Sequence, residues 1–109
     1  MQFRHPELVS GSQKTITLNR SYIYIMTNKY RTTFYIGVTS DLHKRVMEHQ
    51  NEIGSSFTSK YNLFDLIYFE EYSDIKQAIA REKQIKNWKK DWKLNLIKEL
   101  NPDLSTLII

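Results

Sequence analysis

Three kinds of residue in this sequence could act together on a phosphodiester: tyrosines at 22, 24 and 35, an arginine at 45 with a histidine one turn on at 49, and a glutamate at 82. A carboxylate suits a hard divalent cation, a guanidinium makes bidentate contact with phosphate, and a phenol can take a proton from water where its surroundings favour the anion. Each also has a plain structural explanation. Tyrosine commonly fills a face that packs on a helix or meets water, and an arginine at position 45 can simply lay its stem over apolar surface. Glu82 is the least ordinary of the set, because it shares a helical stripe with Ile75, Ala78, Ile79 and Ile85. A carboxylate there is costly unless it is paired, hydrogen-bonded or bound to a cation. It can hold a metal, reach the rim of the stripe, or pair with a neighbour such as Arg45.

The elements that must position these groups follow from the hydrophobic period. Residues 21–27 and 33–39 alternate as strands do and are joined by "NKYR", which predicts a β-hairpin. Alternation puts Ile23, Ile25, Phe34, Ile36 and Val38 on one face and Tyr22, Tyr24 and Tyr35 on the other, beside Gly37. A glycine inside a strand suggests close approach by a ligand or another part of the chain. In "TSDLHKRVMEHQN" the period changes: Ser40 or Asp41 can cap a helix whose single face carries Leu42, Arg45, Val46 and His49. "EIGSSFTSKYN" reads as a loop and "LFDLIYFEEY" as a third strand. A helix follows from about Asp74. Beyond it Trp88, Trp92, Leu96 and Leu100 recur every four residues until Pro102 disfavours helix at Asn101. The expected fold is α/β of the α+β kind, in the order β β α β α α.

Composition narrows the chemistry. The chain has 109 residues, enough for one modest core. No apolar run approaches the length of a membrane span and residues 1–13 lack the apolar core of a secretory signal, so a cytoplasmic location is the default expectation. Cysteine is absent, which removes thiol nucleophiles and cysteine-built zinc sites, and His43 and His49 are not spaced to share a helical face. The net charge is +4. Between Arg81 and Lys98 seven basic residues (Arg81, Lys83, Lys86, Lys89, Lys90, Lys93, Lys98) face only Glu82 and Asp91, so the basicity is a patch suited to a nucleic acid. The lysines can equally be a solvated helix face, and the tryptophan spacing is read as core rather than as base-stacking platforms. Residues 1–20 read as an N-terminal extension, 21–104 as the domain and 105–109 as a tail.

"YIY" at 22–24, ten residues, "YIG" at 35–37, then "TSDLHKRVMEH" and "AIAREKQIKNW" together resemble the GIY-YIG nuclease superfamily. More narrowly, the chain resembles its small single-domain bacterial members, which are similar to the N-terminal nuclease domain of the bacterial excision-repair endonuclease. The resemblance covers residues 20 to 104 and implies a three-stranded antiparallel sheet flanked by helices. It carries the family's catalytic positions onto Tyr24, Tyr35, Arg45, His49 and Asn101, its glycine onto Gly37 and its metal-binding glutamate onto Glu82. Lys60 in "FTSKYN" is read as a cleft lysine outside the chemistry, and Lys86, Lys89 and Lys90 as contacts to substrate. The departure is Tyr22, where the family has glycine.

The resemblance implies a nuclease dependent on one Mg²⁺ or Mn²⁺ ion and acting on DNA. With no helix or finger assigned to reading bases, weak sequence preference is expected, with nicked, flapped or single-stranded DNA as substrate and repair or recombination as setting. Two rival readings stay open: a non-catalytic nucleic-acid-binding module of the same fold, and a protein-interaction domain using the tyrosine face.

Overall fold

The hairpin alternation leaves both of its faces coverable, one by apolar side chains and one by a ring-bearing helix face, and the structure covers both. In the computed structural model, which describes residues 20–51 and 60–109, β1 spans Ser21–Thr27 and β2 spans Phe34–Thr39. They pair antiparallel with Ile23 opposite Val38 and Tyr24 opposite Gly37. The turn between them is closed by the Asn28 side-chain oxygen, which accepts from the backbone N–H groups of Thr32 and Thr33. β3, Asp65–Tyr72, pairs antiparallel with the other edge of β1, giving the strand order β2-β1-β3. The register shifts at Ile25 and Met26, which face Tyr68 and Leu66, so Ile67 is an inserted bulge residue.

Helix α1, Leu42–Gln50, starts where Asp41 caps the Lys44 N–H, and it packs Leu42 and Val46 with Tyr24, Met26 and Leu66. Helices α2 (Ile75–Lys86, capped by Asp74) and α3 (Lys90–Leu100) cover the opposite face. There Ala78, Ile85 and Ile97 pack on Ile23, Ile25 and Ile36. The result is the expected α+β order with the sheet as the middle of three layers. Among the described residues no helix is long and apolar enough to cross a membrane. The N-terminal extension and most of the loop before β3 lie outside the described residues, apart from Arg20 and residues 60–62. Arg20 forms an ion pair with Glu71.

Two helical stripes differ from expectation. On α2 only Ala78 and Ile85 are buried, while Ile75 and Ile79 are exposed. On α3 the buried residue is Ile97, Trp88 and Leu96 are partly buried, and Trp92 is 58% exposed. A four-residue repeat drifts by about 40° per step around a helix of 3.6 residues per turn, so one flat sheet cannot cover all of it. The sequence reading also overlooked a polar clasp that ties α2 to β3. Glu70 accepts from Arg81 Nε and Nη2 at 2.9 and 3.0 Å and from the phenols of Tyr68 and Tyr72 at 2.5 and 2.6 Å. Burial alone would raise the Glu70 pKa, but these donors outweigh it and hold the carboxyl below its ordinary value. The tyrosines' spacing of two on either side of Glu70 was the available signal.

Candidate active site

Tyr24 stands at the centre of β1, with its ring 1% exposed beneath α1. The register places it against Gly37, and a Cβ built on Gly37 would lie 2.5 Å from Tyr24 Oη and 2.6 Å from Cζ. Position 37 therefore needs glycine to admit the phenol of the neighbouring strand. This revises the assignment of Gly37 to substrate, because the space it opens is filled by Tyr24.

Around that phenol the fold gathers Arg45, His49 and Tyr35. Helix α1 presents Arg45 and His49 on one side because they are four residues apart. Tyr24 Oη lies 3.0 Å from His49 Nε2, and Arg45 Nε donates to it at 3.3 Å. The Tyr35 ring sits 6.2 Å from that of Tyr24 and 5.5 Å from that of His49. Arg45 also donates from Nη1 to Glu48 at 2.9 Å, a partner that the sequence reading missed although the i,i+3 spacing was legible. Arg45 is thus paired with Glu48 and not with Glu82.

Electrostatics follow from enclosure. Burial, with the Arg45 charge acting in the same direction, lowers the His49 pKa to about 4, so its imidazole is neutral at neutral pH. Burial raises the Tyr24 phenol to about 12 against the opposing hydrogen bond from Arg45, so it is protonated. Arg45 is raised by its bonds to Tyr24 and Glu48 and stays charged. With two of its five N–H groups used, the guanidinium keeps donors for an anion. A neutral imidazole, a protonated phenol and a fixed cation in mutual contact can accept, pass on and compensate a proton.

The remaining predicted residues are placed elsewhere. Glu82 lies on α2, in the layer across the sheet from α1. Its carboxylate is 15% exposed and pairs with Lys86 Nζ at 2.5 Å, its sole polar partner among the described residues. Among those residues no group of three His, Cys, Asp or Glu side chains could hold a metal. Mg²⁺ does not require such a cage: one carboxylate with water and substrate phosphate suffices, and an i,i+4 lysine is a weak competitor. The donor chemistry at Glu82 fits a hard cation on those terms. Asn101 caps α3, and its Nδ2 donates to the bulged Ile67 carbonyl at 2.9 Å and to the Ser105 carbonyl at 2.8 Å. Its Oδ1 accepts from Ser105 N at 3.1 Å, so the amide is engaged with backbone. Leu107 N–H then donates to Leu66 O at 2.7 Å. Lys60 lies over the Tyr61 ring, Lys90 donates to Thr32 O, and Lys89 is exposed at the α3 N-cap. Tyr22, in the place of the family glycine, packs edge-on to Phe69 at 6.4 Å, beside a cleft of about 280 Å³ that includes Asp41 and His43.

Comparison with known proteins agrees with this arrangement. Residues 20–95 match the GIY-YIG catalytic domain. A UPF0213 protein of Staphylococcus saprophyticus is 33% identical over 82 residues, covering 75% of this chain and 99% of the relative. Another, from Clostridium perfringens, is 35% identical over 77 residues, covering 71% and 82%. The solution structure of a UPF0213 protein from Bacillus halodurans superposes with a TM-score of 0.51 at 23% identity, over 77% of this chain and 88% of that one, which shows a shared fold. With the domain match spanning most of the chain and these relatives aligned along it, the protein belongs to the GIY-YIG family.

Proposed function

We propose that the protein is a divalent-metal-dependent nuclease that hydrolyses DNA phosphodiester bonds. The observation that carries this reading is the Tyr24 phenol held between the Arg45 guanidinium and the neutral imidazole of His49. Arg45 binds a non-bridging phosphate oxygen with its remaining donors and stabilises charge as it builds there. Tyr24, protonated at neutral pH, accepts the proton of the attacking water as its own proton passes to His49 Nε2. This requires the tautomer that carries its proton on Nδ1. The bound phosphate also offsets the Arg45 charge, one of the two causes that oppose protonation of His49. Tyr35 orients the water. Glu82 would hold one Mg²⁺ or Mn²⁺ ion, which when bound supplies neutralisation of the phosphate and of the departing oxygen. Lys60, Lys86, Lys89 and Lys90 serve the DNA backbone, and Asn101 acts by holding α3 to the bulge of β3. The reading carries with it low sequence preference and a role in repair or recombination in the cytoplasm.

A non-catalytic nucleic-acid-binding module is the second reading, favoured by the closure of Glu82 onto Lys86. The two separate in one assay: labelled supercoiled, nicked, flapped and single-stranded DNA incubated with Mg²⁺ or Mn²⁺ and wild type, Tyr24→Phe or Glu82→Ala. Cleavage by wild type that both variants lose supports the nuclease. Binding without cleavage by any of the three supports the module. Full cleavage by Tyr24→Phe removes the phenol from the mechanism.

A further inference from the structure

The outward side of α3 carries an indole that the fold does not use. Trp92 is 58% exposed and meets Trp88 edge-on, with ring centroids 6.0 Å apart at 72°. With Asn95, Leu96 and Glu99 the two rings line a cleft of about 310 Å³. The wall behind Trp88 is rigid, because the Arg81 guanidinium lies 5.3 Å from that ring and is itself held by Glu70 and Gln84. Leaving most of an indole in water forgoes apolar burial, which is notable in a chain this small.

The surroundings select a partner. Lys83, Lys89, Lys93 and Lys98 form no ion pair among the described residues, whereas Arg81 and Lys86 are already paired. A protein helix would need a broader apolar strip than one indole set among lysines. An intact duplex has its base faces already stacked, so it has none to offer an indole. An unpaired strand offers both a base face and phosphates. Inside the cleft the polar groups are Asn95 and Glu99, which suit the amino edge of a base and repel a phosphate, while the lysines stand to either side in sequence.

We propose that the Trp88–Trp92 cleft stacks an unpaired base of a DNA single strand whose phosphates lie against Lys89 and Lys93. The proposal rests on the nuclease reading only in naming the substrate class, since α3 lies in the layer across the sheet from the Tyr24 cluster. Single-stranded or flapped DNA is then the form the protein holds.

The test uses the full chain carrying Trp88→Phe, which leaves Trp92 as the single indole. Its fluorescence is followed during titration with unlabelled oligo-thymidine and, separately, with blunt duplex, both in chelator so that nothing is cleaved. Quenching by the single strand at concentrations where the duplex has no effect is expected. In an otherwise wild-type chain Trp92→Ala should weaken single-strand binding about tenfold or more, and Trp92→Phe should retain most of it. Lys89→Gln with Lys93→Gln should reduce the salt dependence of binding. Absent quenching, equal affinity of wild type and a folded Trp92→Ala, or equal preference for duplex would overturn the proposal. If Trp92→Ala does not fold, the fluorescence titration and the paired lysine variant decide alone. Cleavage by wild type together with undiminished binding by Trp92→Ala removes this cleft and leaves the nuclease standing. Quenching and tight binding without any cleavage do the reverse.

Discussion

Gly37→Ala isolates the packing on which the candidate site depends. In an ordinary strand this change is mildly favourable, by about 0.5–1 kcal/mol, because glycine loses the most backbone entropy on folding. Here the new methyl would meet Tyr24 Oη at 2.5 Å, Cζ at 2.6 Å and Cε1 at 2.9 Å, all closer than carbon atoms tolerate. The ring cannot swing aside cheaply, since it is buried against His49 and Tyr35. Overpacking of this kind costs about 1–3 kcal/mol, and displacing the phenol also weakens its bonds to Arg45 and His49, worth about 1 kcal/mol each. A net loss of about 2–4 kcal/mol is expected, against a total of about 5–15 kcal/mol, so the variant should still fold. Urea denaturation should show a lower midpoint at unchanged slope, and DNA cleavage should fall further than the loss of folded protein explains. Tyr24→Ala in the same chain removes the obstacle, so the cycle of single and double variants should reveal a coupling of about 2 kcal/mol. If Gly37→Ala is as stable as wild type or more so, the phenol does not occupy that space and the packing described for Tyr24 is wrong.

Other predictions concern buried polar groups. His49 has a folded pKa near 4 against 6.5 ordinarily, so the unfolded chain takes up a proton that the folded chain refuses. Stability should therefore fall as pH drops from about 6.5 to about 4, by about 3 kcal/mol, and His49→Gln should flatten that slope in pH-dependent denaturation. Identical slopes for the two proteins would show that the imidazole is not held neutral. Arg81→Ala strands the Glu70 carboxylate and should destabilise by about 3 kcal/mol, with Glu70→Gln in the same chain recovering part of it. Because the Glu70 pKa is lowered in the fold, its share of stability is present above the ordinary carboxylate range and lost as pH falls through it, a decline that Glu70→Gln should lack. Asn101→Ala removes three hydrogen bonds and should cost about 1–3 kcal/mol in thermal or chemical denaturation. Cleavage that falls only in step with folded protein would fit a positioning role, and a far larger loss would put Asn101 in the chemistry.

Local pattern determined a good deal of this protein. The two-residue period sorted Tyr22, Tyr24 and Tyr35 from Ile23 and Ile25, because successive side chains of a strand point to opposite faces whatever surrounds them. Asp41 and Asp74 marked helix starts because a side chain there reaches N–H groups two or three residues on. The triplets around Tyr24 and Tyr35 and the later "AREKQIKNW" identified the family, which the domain match bears out. What only the tertiary structure decided is contact between distant segments. That Gly37 makes room for Tyr24, that Arg45 turns to Tyr24 and Glu48, that Glu70 gathers Arg81 and two phenols, and that Trp92 faces outward all depend on how helices settle on the sheet. Periodicity says which side a residue takes on its own element. It does not say what another element brings to that side, because that is set by the volumes and donors of residues as far apart as 24 and 49.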